Sequence, residues 1–316
     1  MRQYILIGLC TLCIGLMAGE GFAQVARGLN ARAEALAGAG IGLIGSGQAI
    51  QYNPAGLAFM DDWEAYFTFV NRDIANIDRL GNRANIDLRE YIAGIARNTG
   101  IGTFGLYAVN YDYGSGEIWA SSGRVRADDL NEYTISGGYG YKFTNRLAVG
   151  ATLRLFHSER FKTDDLDFDL GTYFLTGLRN TVVAAGVEDV STGIGDFGDV
   201  RLRAGLFLDM MSLLDSEDLP HHLDLAIDVN DYIKDDIGPW ANLSIEYQYR
   251  YLLSGYALEI ALRGGVQSVY GRGSAKTTWG IGLKFETEGG RGIRVDYASF
   301  GSEIYPGHIV SMAFIF

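Results

Sequence analysis

The stretch Ala241-Asn242-Leu243-Ser244-Ile245-Glu246-Tyr247-Gln248-Tyr249-Arg250-Tyr251 alternates apolar and polar residues without a break. Successive side chains on a strand point to opposite faces. One face here is Ala, Leu, Ile and three Tyr; the other is Asn, Ser, Glu, Gln and Arg. Fourteen segments carry this pattern: 63–71, 89–97, 100–111, 129–143, 147–157, 164–175, 181–187, 200–210, 222–230, 240–251, 256–267, 277–286, 292–299 and 308–316. Most have the roughly 9–11 residues that a tilted strand needs to cross hydrocarbon. A sheet apolar on one side and charged on the other suits a transmembrane barrel, with lipid outside and water or a plug inside. The predicted fold is therefore all-β: a transmembrane antiparallel β-barrel of about 14 strands over residues 62–316.

The alternation also assigns faces. Leu147, Val149, Ala151, Leu153 and Leu155 oppose Gly150, Thr152 and Arg154; Leu202, Ala204, Leu206 and Leu208 oppose Arg201, Arg203 and Asp209. Leu223, Leu225, Ile227 and Val229 oppose Asp224 and Asp228; Ile293, Val295 and Tyr297 oppose Arg294 and Asp296. The charged residues expected to face the lumen are Arg154, Asp165, Asp167, Asp169, Arg203, Glu246, Arg250, Arg263, Arg294 and Asp296. A one-residue slip would turn them into lipid, at roughly 2–4 kcal/mol for each Arg or Lys at the midplane, so the register is strongly specified. The segment 100–111 does not declare its lipid face: Phe104 and Leu106 compete with Ile101, Tyr107 and Val109.

Connections alternate long and short, as outer-membrane barrels require. Residues 72–88 and 112–128 are long, 98–99 and 144–146 short; 211–221 breaks the rule. Aromatics gather at segment ends (Tyr139, Tyr141 and Phe143; Tyr247, Tyr249 and Tyr251), as interfacial girdles do.

Residues 1–23 read as an export signal: Arg2, an apolar run from Tyr4 to Ala18, and a small-x-small cleavage site at Gly21-Phe22-Ala23. Both cysteines, Cys10 and Cys13, fall inside it, which leaves the mature chain without disulfides or thiolate metal sites. A net charge of −12 argues against nucleic acid. The acidity reads as solubility of exposed loops or as a cation-attracting loop surface. Residues 24–61 are rich in Ala and Gly, with Gly38-Ala39-Gly40-Ile41-Gly42-Leu43-Ile44-Gly45-Ser46-Gly47 and then Gln51-Tyr52-Asn53-Pro54-Ala55-Gly56-Leu57. So much glycine implies tight packing or sharp turns, and this span is predicted to be a compact plug in the lumen.

Such a segment, closing on Tyr52-Asn53-Pro54-Ala55-Gly56-Leu57 before the first strand, resembles the hatch of the FadL-like outer-membrane transporter superfamily. The Ala31–Ala39 stretch, Val295-Asp296-Tyr297 and Val310–Phe316 resemble the PorV/PorQ-like branch. The resemblance implies a fourteen-stranded barrel with an internal hatch, without enzymatic activity or cofactor. It implies that terminal Phe316, with Phe314, serves recognition by the barrel-assembly machinery. Short external loops, with no long hydrophobic loop for capturing lipid, favour the PorV/PorQ-like side. The implied role is a partner in type IX secretion or surface attachment, handling secreted cargo. The alternative is a FadL-like passive transporter of fatty acids or similar hydrophobic ligands.

Other motifs read more blandly. Gly40-Ile41-Gly42-Leu43-Ile44-Gly45 matches a dinucleotide fingerprint but lacks the βαβ context it needs. Asp165, Asp167 and Asp169 resemble a calcium loop, but Leu170 stands where its glycine belongs; they read as a polar inner face that could pair with Arg154 or Arg203. His157-Ser158-Glu159 could suggest a hydrolase, though a triad needs spatial convergence. Pro54 biases Asn53 toward an extended shape, so Asn53, Pro54, Ala55 and Gly56 form either a rigid turn of the hatch or a gate.

Overall fold

The computed structural model describes residues 30–77, 83–114, 117–120, 123–126, 131–159, 162–178, 181–191, 200–213, 220–233, 239–268, 275–301 and 306–316. The expected export signal, 1–23, and residues 24–29 of the expected hatch lie outside these.

The strands are β1 (Trp63–Ile77), β2 (Arg83–Asn98), β3 (Thr103–Asp112), β4 (Glu117–Ala120), β5 (Gly123–Arg126), β6 (Glu132–Lys142), β7 (Leu147–Ser158) and β8 (Thr163–Leu175). There follow β9 (Val182–Ser191), β10 (Arg201–Asp209), β11 (His221–Tyr232), β12 (Trp240–Leu253), β13 (Tyr256–Gln267), β14 (Lys276–Thr287), β15 (Gly292–Gly301) and β16 (Gly307–Ile315). All but β4 and β5 close one antiparallel barrel in chain order, and β16 returns to pair with β1. Closure leaves no sheet edge, which hydrocarbon demands because it cannot satisfy an unpaired backbone group. The hairpin β4–β5, not expected from the sequence, lies in the connection from β3 to β6. The hairpin β1–β2 outruns its neighbours: β1 pairs with β16 only as far as Arg72, but with β2 as far as Ile77.

Leu153, Ile245, Ile281 and Ile293 are exposed on the outer wall, whereas Arg154, Glu246 and Asp296 are buried. For β3 the structure makes the choice that alternation could not. Phe104 and Leu106 face outward, 48% and 60% exposed, and Tyr107 and Val109 face inward at 8% and 4%. Both faces are apolar because the inner one belongs to a buried cluster with Ile50 and Leu57.

Ile50 and Leu57 belong to an inner segment that lies against the barrel's interior. Helix α1 (Ala31–Ala35) is capped by Asn30, whose Oδ1 accepts from Ala33 N at 2.9 Å. A 3-10 turn follows at Gly47–Gln51, capped by Ser46, and another at Pro54–Phe59, capped by Asn53. Such caps satisfy the orphan N–H groups of short helices. Helix α1 packs on β13–β16, the first 3-10 turn on β1–β3, and the second on β3 and β6–β8. The segment thereby touches opposite walls.

Candidate functional site

The tightest contact between segment and wall falls on the Asn53–Gly56 motif. Gly140, Gly150, Gly171 and Gly186 stand opposite one another across β6, β7, β8 and β9. All four face inward, so they form a shallow belt without side chains. The Pro54 turn lies on it. A Cβ at Gly140 would sit 2.8 Å from both Pro54 O and Ala58 N. One at Gly150 would overlap Pro54 and Ala55, and one at Gly171 would overlap Asn53 Oδ1. Asn53 Oδ1 accepts from Ala55 N at 3.1 Å, and its Nδ2 donates to Ile41 O at 3.0 Å and to Thr172 O at 3.3 Å. Tyr173 Oη donates to Leu43 O at 2.5 Å. One asparagine therefore closes its own turn, ties the segment to itself and ties it to β8.

Ion pairs fix the rest. Arg32 spans Glu246 with bonds of 3.1 and 2.7 Å, and Glu246 also accepts from Arg263 Nε at 2.5 Å. Arg263 reaches Asp296 at 2.6 Å, Asp296 pairs with Arg294 at 3.2 Å, and Arg294 reaches Glu64 at 3.4 Å. Glu64 accepts from Ser46 Oγ and Gly47 N, which closes the chain of charges back onto the inner segment. Lys276 pairs with Glu34. Burial opposes the charge of Arg32, yet Glu246 keeps its guanidinium above the ordinary pKa. Burial pushes the Tyr52 hydroxyl up to about 12 against the pull of Arg32.

The acidic stretch of β8 pairs with Arg154 rather than Arg203. Arg154 bonds Asp169, reaches Asp189 at 3.1 Å and lies 3.7 Å from Asp167. Arg203 turns to Glu188 at 2.9 Å and Asp228 at 3.0 Å, and also donates to Gly38 O at 3.0 Å. Asp165 is buried on the same inner face of β8. Arg250 shares the lumen parity of Glu246 but lies near the end of β12, 48% exposed and 3.7 Å from Glu286. Phe314 and Phe316 are exposed, and Phe316 stacks on Trp63 with centroids 3.8 Å apart.

Sequence reasoning missed Glu188, Glu64, Arg32 and the buried Arg72–Glu90 pair. Glu188 was out of reach of a period-2 rule. The pairing of β8 with β9 shifts register between Phe168 and Leu170, and both Glu188 and its neighbour Asp189 are buried. A bulge does this by placing two residues opposite one. Asp189 takes a φ of 66° there, a conformation that Asp tolerates better than most residues.

The other motifs resolve structurally. His157 and Ser158 are adjacent on β7 and point to opposite faces. His157 Nδ1 lies 2.6 Å from Asp164 Oδ1, while Ser158 Oγ donates to Glu132 inside, so they form no nucleophile–base pair. The Gly40–Gly45 stretch lies in the lumen, with Ile41 N donating to Asp228 at 3.1 Å. Elsewhere the inner wall is apolar: Val70, Ile92, Val109, Phe300 and Ile309 are buried together on β1, β2, β3, β15 and β16.

A closed fourteen-strand barrel, apolar outside and charged within, is an outer-membrane architecture. No family model matches the chain, and no curated protein matches it in sequence. Solved structures match it in fold. A FadL homologue from Pseudomonas aeruginosa has a TM-score of 0.55 at 10% identity, over 95% of this chain and 99% of that one. The monoaromatic hydrocarbon channel CymD gives 0.58 at 10%, over 93% and 98%. The Ralstonia pickettii toluene transporter TbuX gives 0.56 at 11%, over 91% and 98%. The chain is thus similar to FadL-like transport channels in architecture.

This corrects the expectation of a PorV/PorQ-like partner in type IX secretion. Structures that share the fold end to end include a monoaromatic hydrocarbon channel and a toluene transporter. Short external loops are what favour secretion in the sequence. Loops vary independently of the frame that carries them, and here the frame is what matches.

Proposed function

We propose that the chain is a passive outer-membrane channel for small hydrophobic molecules, with residues 24–61 as its hatch and residues 1–23 as its export signal. The carrying observation is the end-to-end match to hydrocarbon channels. The apolar character of one sector of the inner wall, with Val70, Ile92, Val109, Phe300 and Ile309, suits it. The Asn53–Gly56 turn anchors the hatch on the glycine belt, and the inward charges Arg154, Asp165, Asp167, Asp169, Arg203, Glu246, Arg263, Arg294 and Asp296 brace wall and hatch. Phe314, on the outer face of the last strand, and Phe316, just beyond it, suit recognition by the assembly machinery. The test is uptake of labelled toluene by bacteria with an intact lipopolysaccharide leaflet, with and without the protein. Uptake should rise with surface expression; equal uptake at matched expression would withdraw the reading.

A further inference from the structure

Two arginines flank the seam where the last strand closes on the first. Arg97 stands directly opposite Trp63 in the β1–β2 ladder. Trp63 O accepts from Phe316 N at 3.1 Å, and the two rings stack 3.8 Å apart with their planes 10° from parallel. Gly292 pairs with Ile315, which sets Arg291 level with Phe316. Arg97, Trp63, Phe316 and Arg291 therefore form one row across β2, β1, β16 and the start of β15, and all four are exposed. The next row into the membrane is Ile95, Ala65, Phe314 and Ile293. Ile95, Phe314 and Ile293 are exposed on the outer wall, and the small Ala65 leaves a notch between Ile95 and Phe314. Below the arginine row lie only the short turns 99–102 and 288–291, and short turns mark the periplasmic side. Neither arginine is held in an ion pair among the described residues, unlike Arg154, Arg203 and Arg263 inside. The exposed acids nearest in the chain, Asp61, Asp62 and Glu288, hold neither.

We infer that this row binds the phosphate of anionic phospholipid in the periplasmic leaflet, with an acyl chain lying along the Ala65 notch. The site is on the outer wall and does not depend on what the lumen carries. An arginine is costly at the midplane and nearly free at the interface, where its stem lies on apolar surface and its head reaches the phosphates. Tryptophan and other aromatics settle at that same depth. A guanidinium without a carboxylate offers a planar fork that matches two phosphate oxygens. Three strand spacings separate Arg97 from Arg291, about 14 Å, so each arginine takes its own head group on either side of the Trp63–Phe316 stack. A zwitterionic lipid carries an ammonium beside its phosphate and gains less from either one.

The test is native mass spectrometry of the purified barrel after equilibration with equal amounts of phosphatidylglycerol and phosphatidylcholine. The wild type should retain phosphatidylglycerol over phosphatidylcholine about fivefold, the factor expected from one basic residue at an anionic surface, and added salt should lower that preference. In Arg97→Gln/Arg291→Gln the ratio should fall to about one. Arg97→Lys/Arg291→Lys keeps both charges and should keep most of the preference. Arg146→Gln removes an exposed turn arginine away from the seam and should change nothing. Gel mobility with and without boiling shows that each variant is a closed barrel. Equal retention of the two lipids by the wild type overturns the site without any variant. So does an undiminished preference in the glutamine pair, its loss in the lysine pair, or an equal loss in Arg146→Gln, which would reduce the effect to overall charge.

Discussion

Replacing Gly140 by Ala tests whether the glycine belt seats the inner segment. The new methyl would lie 2.8 Å from Pro54 O, 2.8 Å from Ala58 N and 2.9 Å from Leu57 Cβ, where ordinary contact begins at 3.4 Å. Two of the three atoms are backbone, so no rotamer change relieves the clash. The second 3-10 turn must lift by about half an ångström or more, and overpacking of this kind costs about 1–3 kcal/mol. Lifting also strains the bonds from Asn53 to Ile41 O and Thr172 O, at about 1 kcal/mol each if lost. The barrel itself should survive, since β6 keeps its pairing with β3 and β7 on both sides. The assay has two arms: gel mobility with and without boiling, which reports a closed barrel, and trypsin cleavage at Arg32, which reports release of the segment. Gly140→Ala should keep barrel mobility and be cut at Arg32 several-fold faster. Gly264→Ala is the control: its methyl meets only Thr278 O, at 3.8 Å, and should change neither arm. Equal cleavage in Gly140→Ala and the wild type would refute the seating argument.

Two further substitutions probe charge and lipid. Arg263→Met removes one partner from each of Glu246 and Asp296 and should lower the stability of the barrel in urea by about 3 kcal/mol; an unchanged midpoint would mean that Arg32 and Arg294 suffice. Ile245→Arg puts a charge on an outward side chain that is 49% exposed and should cost about 2–4 kcal/mol in lipid vesicles, whereas Tyr251→Arg near the strand end should cost about 1 kcal/mol or less. Equal costs at the two positions would contradict a bilayer midplane near Ile245 and an interface near Tyr251.

Residues 223–229 and 241–251 show why so much of the wall could be read directly. Hydrocarbon punishes every charge on its side, so alternation must be strict there and the period-2 pattern survives in one dimension. Strand β3 shows where that fails. Its inward Tyr107 and Val109 meet an apolar inner segment, so both parities look alike until the segment is in place. Strand β9 fails for another reason, because a bulge hides the facing of Glu188 behind a local change of count.

The glycine belt marks the same boundary. Gly140, Gly150, Gly171 and Gly186 lie ten or more positions apart in the chain, and nothing local relates them. Only the hydrogen-bonded register of four strands sets them in a row beneath Pro54. What the chain alone determined was the solvent on each side of most strands, because burial in lipid is a local property of one residue and its neighbours two away. Which lumen residues meet, which arginine holds which carboxylate, and which polar atoms remain unpaired were decided by closure of the barrel, which brings distant strands and the N-terminal segment into contact.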